Sequence, residues 1–208
     1  MNNRLAIFGA SGHGKVIAEV ALLLGWKKID FFDDNSVNLD HKIMVIGDFD
    51  GLLEQHGNYD GIIVGIGDCR ARVKSFDKLK ERGAKIVTII HPFSSISLSS
   101  TIGEGVIVCP GAIVGVDVHI GDSVIINTGA TVDHDCTLNS GVHISPGANL
   151  CGGVFVGSRS WIGAGSVIKQ GVIIGDDVTI GAGTVVLSDV ISGTILVGNP
   201  SRVISKHE

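Results

Sequence analysis

The residues best suited to chemistry lie in Ile126–Leu138, INTGATVDHDCTL, where Asp133, His134 and Asp135 interrupt a stretch otherwise built for β-structure. Histidine titrates near neutral pH, and a neighbouring carboxylate raises its basicity. Such a pair can take a proton from an attacking amine or hydroxyl as a general base. The bland alternative is a solvated corner carrying three polar side chains, and a lone surface histidine is ordinary. The elements around the triplet decide how much weight each reading carries.

From Ile96 to Val186 every sixth residue is aliphatic, sixteen in succession without an insertion. A fixed short period of this kind is the signature of a β-solenoid. The fifth residue of each piece is mostly small, as in Val106, Ala112, Ala130 and Ser160. Fifth and first positions are two apart, so both point into the core of one strand. Third and fourth positions then form a corner. Glycine fills the fourth position nine times, and Asp117, Asp177 and Asp189 also stand there. Glycine adopts positive φ freely, and Asp tolerates it better than most residues. Three such sides close a triangular coil, so residues eighteen apart stack, and about five coils follow.

His134 is the third residue of its hexad and Asp135 the fourth, so both are corner residues that can point outward. Asp135 shares its slot with other Asp residues, which a backbone requirement alone explains. His134 is the sole histidine among the third positions. One coil later stand Gly152 and Gly153. A glycine above the imidazole leaves an N–H uncovered, suited to an acyl oxyanion, although a tight corner explains it as well. Cys136 falls at an inward fifth position and reads as core, not as a nucleophile.

Residues 1–91 have a different period. Strands are expected at Leu5–Gly9, Ile29–Phe32, Gly61–Ile66 and Lys85–Ile90, with helices at Gly12–Leu24, Asp48–Gln55 and Arg70–Arg82. This alternation predicts a small parallel sheet of βαβ units, an α/β Rossmann-like domain, followed by an all-β domain over 92–208. The loop FGASGHGKV opens the first helix, where backbone N–H groups bind phosphate well. Its glycines do not follow G-x-G-x-x-G. Asp33 and Asp34 lie about where a ribose-binding acid sits. A tight strand-to-helix turn alone accounts for Gly9 and Gly12.

Composition narrows the classes. The chain has 208 residues, 44% hydrophobic but only 5% aromatic, so the core is aliphatic. A net charge of −5 with no basic run argues against nucleic acid. With no 18-residue apolar run and no signal-peptide pattern, neither membrane insertion nor export is expected. Cys69, Cys109, Cys136 and Cys151 show no paired spacing, as expected of reduced thiols in a cytoplasmic protein.

The repeat resembles the hexapeptide-repeat acyltransferases, which form a left-handed parallel β-helix. Period six does not give the hand; the resemblance implies it. NTGATVDHDC followed by HISPGANLCGG is similar to the branch holding the UDP-4-amino-sugar N-acetyltransferases of bacillosamine synthesis and the sialic acid O-acetyltransferases. The resemblance implies a homotrimer with sites between neighbouring subunits and acetyl-CoA as co-substrate. It implies His134 as general base supported by Asp135. It also implies acetyl-CoA contacts at Asn127, His143, Gly152, Ala164, Ala182 and Arg202, the last within a VGNPSRVI close. The outward side of His143 otherwise reads as a solvated face. In the N-terminal domain it implies a nucleotide-sugar held by Ser11, Gly12, His13, Gly14, Asp33, Asp34, Gly67 and Arg72. The expected reaction is N-acetylation of a UDP-linked 4-amino-4,6-dideoxy sugar. O-acetylation of sialic acid and a non-catalytic trimeric scaffold are the alternatives. A three-histidine zinc site from His119, His134 and His143 is a further one, although their spacing does not resemble carbonic anhydrases with this repeat. No metal is expected.

Overall fold

The chain folds as two units, Met1–Pro92 and Phe93–Glu208. A computed structural model describes residues 4–35 and 44–206. Among the described residues no helix is long and apolar enough to cross a membrane.

In the first unit, β1 (Arg4–Phe8), β2 (Lys28–Phe32), β3 (Val45–Gly47) and β4 (Gly61–Val64) form one parallel sheet in the order β3-β2-β1-β4. The helices are α1 (Gly12–Leu23), α2 (Phe49–Gln55) and α3 (Cys69–Glu81). Both β1 and β4 are near-continuous apolar runs, as strands covered on two faces require. Phe8, Phe32 and Val64 pack with Phe49 and Leu52 of α2 and Phe76 and Leu79 of α3. Asp48 caps α2 by accepting from Gly51 N at 2.9 Å, and Asp68 caps α3 by accepting from Ala71 N at 2.8 Å. These N-caps fix where the two helices begin.

Two expectations change here. β3 is an additional strand, too short to show a period. The strand expected over Lys85–Ile90 is broken: Ile86 bridges Ile62 beside β4, and only Ile89–Ile90 is regular. Gly14 has a cause that motif matching misses. A Cβ there would collide with the carbonyl oxygen of Gly9, so the glycine lets α1 approach the end of β1.

The second unit is a three-sided parallel β-helix. Each two-residue strand pairs with the one eighteen residues on, as His119 with Thr137, Ile126 with Ile144 and Thr131 with Asn149. The first face carries Ile125–Ile126, His143–Ile144 and Trp161–Ile162. The second carries Thr131–Val132 and Asn149–Leu150. The third carries His119–Ile120 and Thr137–Leu138. First and fifth positions fill the interior, with Val124, Ala130, Val132, Cys136 and Ile144 fully buried. All nine expected corner glycines have positive φ, as do Asp117, Asp135 and Asp177. Asp189 does not; Ser123 and Arg159 take that conformation instead. The reason is that the last coil is short. Thr179 pairs with Ile195, two residues early, and the Asp189 carboxylate accepts from Ile173 N at 2.9 Å. Strand Thr194–Val197 is then covered by an antiparallel strand, Arg202–Lys206. This covers the open edge of the first face.

Candidate functional site

His134 stands on the corner between the second and third faces. The Asp133 carboxylate accepts from the His134 backbone N–H at 2.8 Å, and the Asp135 carboxylate meets His134 Nδ1 at 2.7 Å. A carboxylate only accepts, so the proton sits on Nδ1 and the Nε2 lone pair is the available base. The hydrogen bond to Asp135, then the charge of Asp133, push the His134 pKa above the usual histidine value. The side chain is 60% exposed, so a substrate can reach it.

Gly152 lies directly over the ring. A Cβ at this position would stand 2.5 Å from Nε2 and from Cε1. The Gly153 N–H is taken by the His134 carbonyl at 2.8 Å and the Gly152 carbonyl accepts from Gly171 N at 3.0 Å. No partner for the Gly152 N–H is found among the described residues. Beside the corner, Asp133, Thr131, Asn149 and Cys151 line a groove of about 220 Å³ on the second face. Cys136 points inward, donates to the Cys151 carbonyl at 3.2 Å, and burial pushes its thiol up to about 11. A thiol so hard to ionise is a poor nucleophile.

Asn127 belongs to a different corner, between the first and second faces, and His143 lies on the first face beside it. Ala164 and Ala182 stack above Thr128 on that corner, one and two coils beyond Pro146, and both are exposed. Arg202 is exposed on the strand that caps the first face. The expected acetyl-CoA contacts other than Gly152 therefore gather on one side of the prism and the base stands at another.

His143 is not on a solvated face. It is 8% exposed, its ring lies parallel to that of Trp161 with centroids 5.8 Å apart, and its Nε2 meets Asn127 Nδ2 at 3.3 Å. Trp161 in turn donates from Nε1 to Ser145 Oγ at 2.6 Å. Sequence reading missed Trp161 and Ser145; the eighteen-residue stack between 143 and 161 was the available signal. His119 lies on the third face and meets Thr101 Oγ1 at 2.9 Å. The three candidate zinc histidines occupy separate faces and corners, and no metal-holding group of His, Cys, Asp or Glu occurs among the described residues.

A second cavity, of about 660 Å³, opens at the carboxyl edge of the first unit's sheet. Ser11, Asp33, Asp34 and Gly67 line it, together with Phe49, Lys74 and Lys78. Gly12, His13 and Gly14 open α1 behind Ser11. Burial, then the charge of Arg72, pushes His13 down to about 4, so this imidazole is neutral. Asp33 accepts from Ala10 N and Asn35 N, both at 2.8 Å, so its two oxygens brace the loops. Asp34 accepts from Phe49 N at 2.8 Å through Oδ1, its one bond among the described residues.

Arg72 departs from expectation. It is 1% exposed and donates to the carbonyls of Ile66 and Gly67 at 3.2 and 2.8 Å. It holds the Gly67 loop from beneath and does not line the cavity. Burial draws the guanidinium to main-chain carbonyls, where its planar fork finds two acceptors. Phe49, Lys74 and Lys78 were missed because they converge only when α2 and α3 pack together.

Comparison with known proteins now bears on these sites. Residues 4–79 match the PglD N-terminal domain family, and residues 153–188 match the bacterial transferase hexapeptide (six repeats) family. The acetyltransferase domain of PglB from Neisseria gonorrhoeae is 40% identical, over 98% of this chain and 100% of that one, with a TM-score of 0.92. PerB from Caulobacter crescentus, solved with CoA and GDP-perosamine, is 36% identical over 98% of each chain, with a TM-score of 0.92. The chain belongs to the hexapeptide-repeat sugar N-acetyltransferases. Its second unit is accordingly a left-handed parallel β-helix, and the chain is an acyltransferase rather than a scaffold that has kept the fold. WeeI from Acinetobacter baumannii is more distant, at 25% identity over 96% of this chain and 99% of that one, with a TM-score of 0.84.

Proposed function

We propose that the protein transfers the acetyl group of acetyl-CoA to the amino group of a nucleotide-linked sugar, a UDP-4-amino-4,6-dideoxy sugar in the first instance. The observation that carries this is the His134–Asp135 pair set against the Gly152 N–H. The Neisseria relative solved with acetyl coenzyme A supports the donor. The Caulobacter relative, solved with CoA and GDP-perosamine, supports a nucleotide amino sugar as acceptor.

The amine attacks the thioester carbonyl directly. A C–N bond forms, His134 Nε2 removes the amine proton, and the carbonyl oxygen becomes an oxyanion against the Gly152 N–H. Collapse breaks the C–S bond, and the imidazolium returns its proton to the departing thiolate. No acyl-enzyme is needed. Asp135 stabilises the imidazolium through Nδ1–H. Asn127, His143, Ala164, Ala182 and Arg202 hold acetyl-CoA along their corner. Because that corner is not the one bearing His134, each site is built from two copies of a homotrimer. The deciding assay is thiol release from acetyl-CoA, screened over UDP- and GDP-linked amino sugars and sialic acids. Release with sialic acids alone would remove the proposal.

The base works only when neutral, and its raised pKa keeps it protonated to higher pH. kcat/KM therefore rises with pH through a midpoint above the usual histidine value. Asp135→Asn removes the largest cause of the shift, so the midpoint moves to lower pH and the plateau falls. An unmoved midpoint in a pH–rate profile would leave Asp135 without this role.

The nucleotide lies in the first unit's cavity, its diphosphate at the start of α1 (Ser11–Gly14) and its nucleoside toward Asp34. Asp34→Ala is expected to weaken UDP or GDP binding about tenfold or more, since hydrogen bonds to charged groups are the strong ones. Isothermal titration measures it, and an unchanged Kd would move the nucleoside elsewhere.

A further inference from the structure

The nucleotide cavity has chemistry at one end that its acids and glycines do not explain. Lys78 lines the cavity from α3, and its Nζ lies 5.8 Å from the centroid of the Phe49 ring. Phe49 packs on Phe8 with centroids 4.5 Å apart, which makes an aromatic floor. The Phe49 N–H is the group that Asp34 Oδ1 accepts, at 2.8 Å, so Asp34 stands at the same end. Asp34 Oδ2 has no partner among the described residues, and Lys78 makes no ion pair there. An acceptor, an aromatic wall and a cationic donor thus meet at one end of a cavity whose other end opens at the start of α1.

That set matches one edge of a nucleobase. Uracil and guanine share a lactam, a ring N–H beside a carbonyl. The ring N–H suits a carboxylate acceptor and the carbonyl suits an ammonium donor. Adenine offers neither group on that edge, and cytosine has a carbonyl but no ring N–H. We infer that Lys78 is a specificity-determining residue that donates to the base carbonyl, so that the cavity accepts lactam nucleotides and rejects adenine and cytosine. Within the proposed function this accounts for a pocket suited to either a UDP- or a GDP-linked sugar. It rests on the nucleotide reading of the cavity.

Lys78 is exposed at the cavity, and replacing it is expected to leave the fold intact. Lys78→Met removes the ammonium and keeps the stem over Phe49. Isothermal titration of UDP, GDP, ADP and CDP into the full-length protein tests the inference. Wild type is expected to bind UDP or GDP at least about tenfold more tightly than ADP or CDP, one such bond to a charged group being sufficient for that factor. Lys78→Met is expected to lose most of this preference, through weaker UDP or GDP binding with ADP unchanged. Equal weakening for all four nucleotides would place Lys78 on the diphosphate and overturn the inference, as would a preference that survives in the variant. Failure of wild type to bind any nucleotide would instead remove the nucleotide reading itself.

Discussion

Replacing His134 by Ala lowers turnover by about 10²–10⁴-fold, the usual worth of a positioned general base. Acetyl-CoA binding and the proposed homotrimer are expected to persist. The imidazole is 60% exposed and its one side-chain bond is to Asp135, itself exposed. The β-helix is held by its inward first and fifth positions and by backbone bonds between coils, none of which the substitution touches. Thiol release measures the rate, and titration with acetyl-CoA checks the binding. Near-normal turnover would end the assignment of His134 as the base.

Gly152→Ala separates geometry from chemistry. The added Cβ would stand 2.5 Å from two ring atoms of His134, a distance that forces the imidazole aside. The backbone at Gly152 does not lie in the left-handed region, so Ala fits it. Gly153, with φ of 67°, is the contrasting neighbour. Stability therefore stays within the small range of a surface change, while turnover falls about 10²-fold, the scale for displacing a reacting group by roughly 1 Å. The two positions act as one unit, so Gly152→Ala on the His134→Ala background costs nothing further. A full additional loss in the double variant would mean that Gly152 acts apart from His134. Thermal unfolding and thiol-release rates on the four proteins of the cycle supply the numbers.

These two residues also show how much of the site the sequence carried. His134 and Gly152 are eighteen apart at the third position of their hexads, so their stacking was legible before any coordinates. The Cβ distances to the ring add the quantity that spacing lacks. For Asp33 and Asp34 the sequence marked the place but not the division of labour. Asp33 spends both oxygens on loop backbone and Asp34 only one. Arg72 matched a motif yet lies under the loop rather than in the cavity.

The sequence alone determined the hexad, its inward and outward positions, its corners and the unusual histidine on one of them. It could do so because a strand alternates its side chains and a corner demands positive φ, both local constraints written into nearest neighbours. Only the tertiary structure decided that Lys78 lies over the Phe49 ring and that β3 joins the sheet. These depend on which faces close on one another, and contacts between faces leave no period in the chain.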